Sequence, residues 1–165
     1  MSQQLWFLRH GEAVPHESKS DADRELTARG GRQAVAAGGA LARLELELAA
    51  AYTSPKIRAR DTARIACRTL NVEPQEVEWL ASGFDAEKAL ELVVGADAEA
   101  RILLVGHDPD FSQAIHDLTG ARVDLKKGGV AAVRVEGRGG TLIALLRPRE
   151  LESIGVDSSA GVLEA

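Results

Sequence analysis

Apolar runs alternate with helix-like stretches along most of the chain. Short apolar runs predict buried strands at 5–8, 49–53, 77–80 and 101–105. Between them, helices are predicted from Thr27 onward, from Ser54-Pro55 to about Leu70, and over 86–94, with a further helix around 111–118. Thr27 and Ser54 stand where helix N-caps are expected. This order is β-α-β-α-β-α-β, followed by another helix.

The last third of the chain has a different pattern. Two β-rich runs, 129–135 and 141–146, are separated by a glycine-rich segment and predict a hairpin. Alternating strands and helices favour a mostly parallel sheet with helices on both faces, to which the hairpin adds an antiparallel edge. The expected fold is a single three-layer α/β domain over 1–156 with a mixed sheet. Residues 157–165 are small and polar, and we expect them to form a loose tail.

Composition narrows the class of protein. A chain of 165 residues with 45% hydrophobic content can bury one core but not two ordinary ones. Its net charge of −5 gives no electrostatic indication of nucleic acid or membrane binding. The first residues lack the pattern of a signal peptide and no apolar run is long enough to span a bilayer, so we expect a cytoplasmic protein. The lone Cys67 is interpreted as a core residue.

Charged motifs directly follow three of the predicted strands. Arg9-His10-Gly11 follows the first, Arg58 comes shortly after the second, and Gly106-His107 follows the fourth. Parallel α/β sheets form their sites at the carboxyl ends of the strands, so these residues can meet in one crevice. Arginine matches phosphate oxygens with its planar fork, and a neutral histidine can act as a nucleophile. The combination predicts a phosphoryl-transfer site that needs neither a metal nor a cofactor.

Each motif also has a structural interpretation. Arg9-His10-Gly11 could be a strand end with a solvated arginine, and Arg58 could pair with Asp61 one helical turn away. His107 could be a capping or core histidine. The functional interpretation rests on all of them occurring at equivalent strand ends, because such a coincidence at three separate places is improbable.

The chain resembles the histidine phosphatase superfamily. The similar segments are Leu8-Arg9-His10-Gly11-Glu12, Leu26-Thr-Ala-Arg-Gly30, Ser54-Pro-Lys-Ile-Arg58 continuing to Ala63, and Val105-Gly106-His107. The resemblance implies that His10 is the nucleophile that becomes transiently phosphorylated. It further implies that Arg9, Arg58 and His107 form the phosphate pocket. The short length is similar to the small SixA-like branch, because only about 30 residues separate Leu70 from Arg101, too few for the helical lid of larger members.

One departure from the family pattern concerns the proton donor. Many members carry a glutamate just after the third strand, whereas here Leu80 is followed by Ala-Ser-Gly-Phe-Asp85. Asp85 is the nearest candidate acid, with Glu87 and Glu12 behind it. Imidazole leaves more easily than an alkoxide, since its conjugate acid has a pKa of about 6.5, so a missing acid favours a phosphohistidine substrate.

Three functions remain open from the sequence. The leading hypothesis is a phosphatase for phosphohistidine on a protein such as a phosphorelay domain. The first alternative is a phosphomonoesterase for a small phosphorylated metabolite, with Asp85 or Glu87 as acid. The second is a noncatalytic phosphate-binding module. His16 could contact substrate, while Asp108 and Asp110 are interpreted as a cap for the following helix rather than metal ligands.

Overall fold

The computed structural model describes residues 2–155. Six strands are present: β1 Gln4–Arg9, β2 Ala50–Thr53, β3 Pro74–Glu76, β4 Arg101–Gly106, β5 Val130–Glu136 and β6 Gly139–Leu146. Five helices accompany them: α1 Ala28–Arg43, α2 Ile57–Cys67, α3 Ala86–Val94, α4 Asp110–Thr119 and α5 Pro148–Gly155. Two short 3₁₀ turns cover Asp21–Asp23 and Glu78–Leu80. None of the helices within 2–155 has the length and apolarity needed to cross a bilayer.

The strands form one mixed sheet in the order β3-β2-β4-β1-β5-β6. The first four in this order run parallel, whereas β5 lies antiparallel to both β1 and β6. Successive β1 side chains point to opposite faces, as the pleat requires. Trp6 and Leu8 pack in a core with α1, α2 and α5, while Leu5 and Phe7 pack in a second core with α3 and α4. The predicted three-layer α/β fold with its C-terminal hairpin is confirmed.

Helix α1 begins as the sequence predicts. Thr27 is its N-cap, and the side chain of Thr27 accepts a hydrogen bond from the Gly30 amide at 3.1 Å. The glycines inside this helix lower its intrinsic stability, and Gly38 shows what compensates for that loss. A Cβ at Gly38 would lie 2.5 Å from the backbone oxygen of Ala66 in α2. Gly38 therefore allows the two helices to approach closely.

The prediction of a strand over 77–80 is wrong. The observed strand is β3, three residues earlier, where Pro74 and Glu76 pair with Ala51 and Thr53 of β2. Because β3 is at the edge of the sheet, a proline and polar side chains are tolerated there. The apolar residues that suggested a strand, including the fully buried Leu80, instead lie in or beside a 3₁₀ turn that packs against the second core.

Two helix boundaries also differ from expectation. Helix α2 starts at Ile57 with Lys56 as the N-cap residue, so Ser54 is not its cap. The Ser54 hydroxyl still accepts a hydrogen bond from the Lys56 amide at 3.2 Å, which closes the turn before the helix. The helix ends at Cys67 rather than near Leu70.

Helix α5 was not predicted. Its eight residues bury only Leu151, so no apolar run of the sequence drew attention to it. The Arg147 amide donates to Glu150 at 3.0 Å, which satisfies an N–H at the start of the helix. The expected loose tail at 157–165 lies outside the described residues.

Candidate active site

A cavity of about 430 Å³ lies at the carboxyl ends of β1, β2 and β4. The four residues singled out from the sequence all line it: Arg9, His10, Arg58 and His107. His10 and His107 are 6% and 8% exposed, and their ring centroids lie 5.3 Å apart. The fold therefore brings residues from three separate strand ends into one pocket, as expected from their positions in the sequence.

Hydrogen bonds hold the backbone around His10. The His10 amide donates to the Gly106 carbonyl at 3.0 Å, and the His10 carbonyl accepts from the Gly128 amide at 2.9 Å. The Gly11 amide donates to the Thr62 hydroxyl at 3.0 Å. Contacts from β4, α2 and the segment before β5 thus fix the loop that carries His10.

Glycine is required where this loop meets helix α1. A Cβ on Gly11 would lie 2.5 Å from the Gly30 carbonyl oxygen, and a Cβ on Gly30 would overlap the Glu12 carbonyl oxygen. The Thr27 amide donates to that same Glu12 carbonyl at 3.0 Å. The two glycines let the start of α1 pack directly on the loop, so a fourth segment helps to position His10.

The hydrogen bonding of the His10 ring selects one tautomer. Its Nδ1 atom lies 2.7 Å from the Gly11 carbonyl oxygen, which can only accept a hydrogen bond. Nδ1 therefore carries the proton in the neutral ring, and Nε2 carries the lone pair. Nε2 is the nitrogen that can attack an electrophile.

The surroundings of His10 keep its ring neutral. Burial, together with the positive charges of Arg58 and Arg9, lowers the pKa of His10 to about 4. Lys127 acts in the same direction. Because the imidazolium form is disfavoured, the Nε2 lone pair is available at neutral pH.

His107 faces His10 and is held by Ser54. Nε2 of His107 lies 2.8 Å from the Ser54 hydroxyl oxygen, and Nδ1 is buried with no hydrogen-bond partner among the described residues. Burial, followed by the effect of His10, lowers the pKa of His107 to about 3. A neutral His107 thus has one nitrogen fixed by protein and one without a protein partner.

Arg58 pairs with Asp21 and not with Asp61. Its Nη1 donates to the Asp21 carbonyl at 2.7 Å and its Nη2 lies 3.3 Å from the Asp21 carboxylate, whereas Asp61 bonds Arg60. The same carboxylate accepts from Lys56 at 2.8 Å. Lys56, followed by Arg24 and Arg58, holds the pKa of Asp21 well below its usual range. Asp21 therefore ties the polar loop to the start of α2 and orients Arg58.

Sequence reasoning missed several charged groups of the cavity. Lys56, Arg24 and Lys127 also line it, from three different segments. Arg24 is buried, and its Nε donates to the Val14 carbonyl at 2.8 Å. Lys56 could have been found from the sequence, because it lies inside the Ser54-Pro-Lys-Ile-Arg58 motif. Arg24 and Lys127 could not, because the polar loop and the segment before β5 have no hydrophobic periodicity that would place them at the site.

The three carboxylates proposed as proton donors lie elsewhere. Glu12, Asp85 and Glu87 are all absent from the cavity lining. Asp85 caps helix α3 by accepting from the Lys88 amide at 2.9 Å. Glu12 accepts from the Thr27 hydroxyl at 2.9 Å and lines a neighbouring cavity.

Asp108 and Asp110 differ from each other. The N-cap residue of α4 is Pro109, so neither aspartate is the cap that the sequence suggested, but the Asp108 carboxylate accepts from the amide and hydroxyl of Ser112 in the first turn of the helix. Both aspartates line the cavity, where burial and the charge of Asp108 raise the pKa of Asp110. A carboxyl group with a raised pKa can carry a proton into a reaction more readily than an ordinary one. His16 lines the cavity as well, from the polar loop.

Among residues 2–155, no three or more His, Cys, Asp or Glu side chains are grouped so that they could hold a metal ion. The cationic residues of the cavity have the chemistry of an anion site.

Comparison with known proteins gives consistent matches. The model of the histidine phosphatase superfamily (branch 1) matches residues 5–82. An uncharacterized protein of Picosynechococcus is 33% identical over 139 residues, covering 79% of this chain and 84% of that protein. The structure of the protein histidine phosphatase SixA complexed with tungstate aligns with a TM-score of 0.80 at 22% identity, over 90% of this chain and 99% of that one.

A second solved structure of similar fold is that of a phosphatase named for a different substrate. Phosphoserine phosphatase from Entamoeba histolytica, in complex with phosphoserine, aligns with a TM-score of 0.74 at 16% identity, over 90% of this chain and 99% of that one. The fold is therefore shared by phosphatases of different specificity. With its matching family model, its relative and its fold, this chain belongs to the histidine phosphatase superfamily.

Proposed function

We propose that this protein hydrolyses phosphohistidine on a partner protein, such as a phosphorelay domain, through a phosphorylated His10. The observation that carries the proposal is the state of His10. Its Nδ1–H is held by the Gly11 carbonyl, and its pKa is lowered to about 4. A neutral ring with its lone pair on Nε2, placed among arginines, is a nucleophile prepared for a phosphoryl group.

The reaction proceeds in two displacements. In the first, Nε2 of His10 attacks phosphorus, the bond from phosphorus to the departing imidazole breaks, and that imidazole takes up a proton from solvent. In the second, water attacks the phosphoryl group on His10, the bond to Nε2 breaks, and inorganic phosphate leaves. The Gly11 carbonyl accepts from Nδ1–H throughout, which stabilises the positive charge of the phosphorylated ring.

Arginines and His107 bind the transferred group. Nε of Arg9, Nε of Arg58 and Nδ1 of His107 are buried without a hydrogen-bond partner in residues 2–155. Buried polar groups of this kind are normally satisfied, and phosphoryl oxygens are acceptors that match N–H donors. If Ser54 donates its hydroxyl proton to Nε2 of His107, then Nδ1 carries a proton and can donate to the phosphoryl group. Charge on the transferring oxygens is stabilised in this way.

Two features favour phosphohistidine as the substrate. None of Glu12, Asp85 and Glu87 lines the cavity, and imidazole is a leaving group that needs little help from an acid. Between Leu70 and Arg101 the chain forms only β3, a 3₁₀ turn and α3, so no extra helix covers the site and a protein side chain can enter. The fold-similar SixA binds tungstate, an oxyanion, which agrees with a phosphate pocket here.

A phosphomonoester is the second candidate substrate. The observation that favours it is Asp110, which lines the cavity and has a raised pKa. An alkoxide leaving group needs a proton donor, and Asp110 has the properties of one. The fold-similar phosphoserine phosphatase shows that this architecture can be combined with such a substrate.

A parallel assay tests the proposal. Wild type, His10→Ala and the exposed control His116→Ala are incubated with a phosphohistidine protein and with a panel of phosphomonoesters. We expect wild type and His116→Ala to form an acid-labile phosphoenzyme and to release phosphate fastest from phosphohistidine, and His10→Ala to do neither.

Three outcomes contradict the proposal. Full turnover in His10→Ala excludes the histidine nucleophile. Turnover of phosphomonoesters alone assigns the second candidate substrate. Stoichiometric binding without phosphate release from any substrate assigns the noncatalytic binding module.

A further inference from the structure

A second cavity of about 470 Å³ adjoins the catalytic one. Arg9 and Lys127 line both, so the two cavities meet at these residues. The remaining walls come from α1, the segment before β5 and the start of α5. We call it the basic groove and define it by the five cations Arg29, Lys126, Lys127, Arg147 and Arg149.

The charge of the groove is opposite to that of the whole chain. Among the described residues, and counting Arg9, six cationic side chains line the second cavity, against the two carboxylates Glu12 and Asp124. The chain as a whole carries −5. Positive charge is thus concentrated beside the catalytic cavity, where it attracts an acidic surface and orients it toward His10.

The cations of the groove remain available to a partner. Four of the five cations have an internal partner: Arg29 is 3.5 Å from Glu12, Lys126 is 2.8 Å from Asp124, and Arg147 and Arg149 are 2.9 Å and 3.8 Å from Glu150. Exposed ion pairs of this kind contribute only about 0–1 kcal/mol to the stability of the folded protein. Carboxylates of a partner protein can therefore replace the carboxylates of this chain as partners of these cations. Within residues 2–155, the Lys127 side chain forms no hydrogen bond or ion pair with a carboxylate.

We propose that the basic groove binds an acidic surface patch of the phosphoprotein substrate, next to the phosphorylated side chain in the catalytic cavity. This inference rests on the proposed function and adds the chemistry of the partner. The groove is built from separate segments with mostly exposed side chains, which suits several carboxylates spread over a protein surface. Among the described residues that line it none is aromatic, so it lacks the stacking surface expected for single-stranded nucleic acid.

The test reverses charges that belong to the groove but not to the catalytic cavity. The triple variant Arg29→Glu/Lys126→Glu/Arg149→Glu is compared with Arg64→Glu/Arg68→Glu/Arg138→Glu. The control carries the same change of net charge on α2, just after α2 and in the β5–β6 turn. Both variants are assayed on p-nitrophenyl phosphate, and on an acidic phosphohistidine protein at several salt concentrations.

We expect the groove variant to lose about 10-fold or more in kcat/KM on the acidic phosphoprotein, mainly through KM, with a weaker dependence on salt. Its turnover of p-nitrophenyl phosphate stays near that of wild type, which also shows that it folds. The control variant behaves like wild type. An equal loss of kcat/KM on the acidic phosphoprotein in the two variants, or a loss in the control variant alone, overturns the proposal.

A binding experiment separates this inference from the catalytic one. A fluorescent oligoglutamate peptide is titrated with wild type, the groove variant and the control, and anisotropy gives Kd without any turnover. Weaker binding to the groove variant alone supports the acidic docking site even if no phosphatase activity is found. Unchanged binding, or tighter binding of an oligonucleotide of equal charge, overturns it even if phosphohistidine is hydrolysed.

Discussion

Nε2 of His107 lies 2.8 Å from the hydroxyl oxygen of Ser54, across the carboxyl ends of two neighbouring strands. The same hydroxyl accepts from the Lys56 amide, so its own proton is free to point at His107. A residue predicted as a helix cap thereby orients a histidine that lines the candidate active site. The contact links the turn before α2 to the end of β4.

Ser54→Ala should lower kcat more than it raises KM. Without the hydroxyl, His107 loses the bond that fixes its tautomer, and the Nδ1 proton is no longer held toward the phosphoryl group. We expect a fall in kcat of about 10-fold, measured by steady-state phosphate release. Ser54→Thr keeps the hydroxyl and should recover most of the activity. Equal kcat in wild type and Ser54→Ala contradicts the positioning role.

Asp110→Asn should separate the two classes of substrate. The asparagine cannot donate a proton to a departing alkoxide, so the rate of phosphomonoester hydrolysis should fall by about 100-fold. The rate of phosphohistidine hydrolysis should change little, because imidazole leaves without such help. Asp85→Asn is the matched control, because asparagine also caps helices and this residue lies outside the cavity lining. Equal loss on both classes of substrate, or a loss in Asp85→Asn, contradicts this assignment.

The stability of the protein should decrease as the pH is lowered, because of His10. The pKa of His10 is about 4 in the folded protein, against an ordinary value of 6.5 that applies to the unfolded chain. Between these two values the unfolded chain binds the extra proton and the folded protein does not. The free energy of unfolding therefore decreases as pH falls from about 6.5 toward 4, by about 2 kcal/mol for this residue at pH 5.

Urea denaturation at pH 7 and pH 5 measures this effect. His10→Gln should lose less stability over that interval than wild type, by about 2 kcal/mol. The exposed His116→Gln variant should show the same pH dependence as wild type. An identical pH dependence in His10→Gln and wild type contradicts the lowered pKa.

Adjacent glycines of α1 should respond in opposite directions. Gly30→Ala places a methyl group against the Glu12 carbonyl and should destabilise the protein by about 1–3 kcal/mol. Gly31→Ala meets no atom within 4 Å and should stabilise it by up to about 1 kcal/mol through helix propensity. Thermal denaturation measures both. Gly30→Ala should also reduce phosphatase activity, because α1 packs at Gly30 on the loop that carries His10. An equal change of melting temperature in the two variants contradicts the close packing at Gly30.

The pattern of apolar and polar residues along the sequence determined several strands and helices of this protein. The buried strands β1 and β4 are short apolar runs, and α3 follows the predicted bounds 86–94 because a capping aspartate and helical spacing agree there. Since parallel strands end at the same edge of a sheet, the chain order alone predicted that Arg9, His10, Arg58 and His107 would meet. The strand near residue 77 was misplaced because apolar side chains can be buried as well from a turn as from a strand.

The tertiary structure decided which side chains pair with one another and which protonation states they favour, because these depend on residues far apart in the sequence. The partner of Arg58 is Asp21, 37 positions away, and only the folded loop brings the two together. The tautomer of His10 and its lowered pKa depend on a carbonyl, on burial and on charges from several segments. Asp108 and Asp110 both line the cavity, but only Asp108 has its carboxylate bonded to Ser112, while burial and Asp108 raise the pKa of Asp110. The basic groove forms only where several segments pack together. Charge, burial and hydrogen bonding across space, rather than sequence spacing, set the chemistry of these groups.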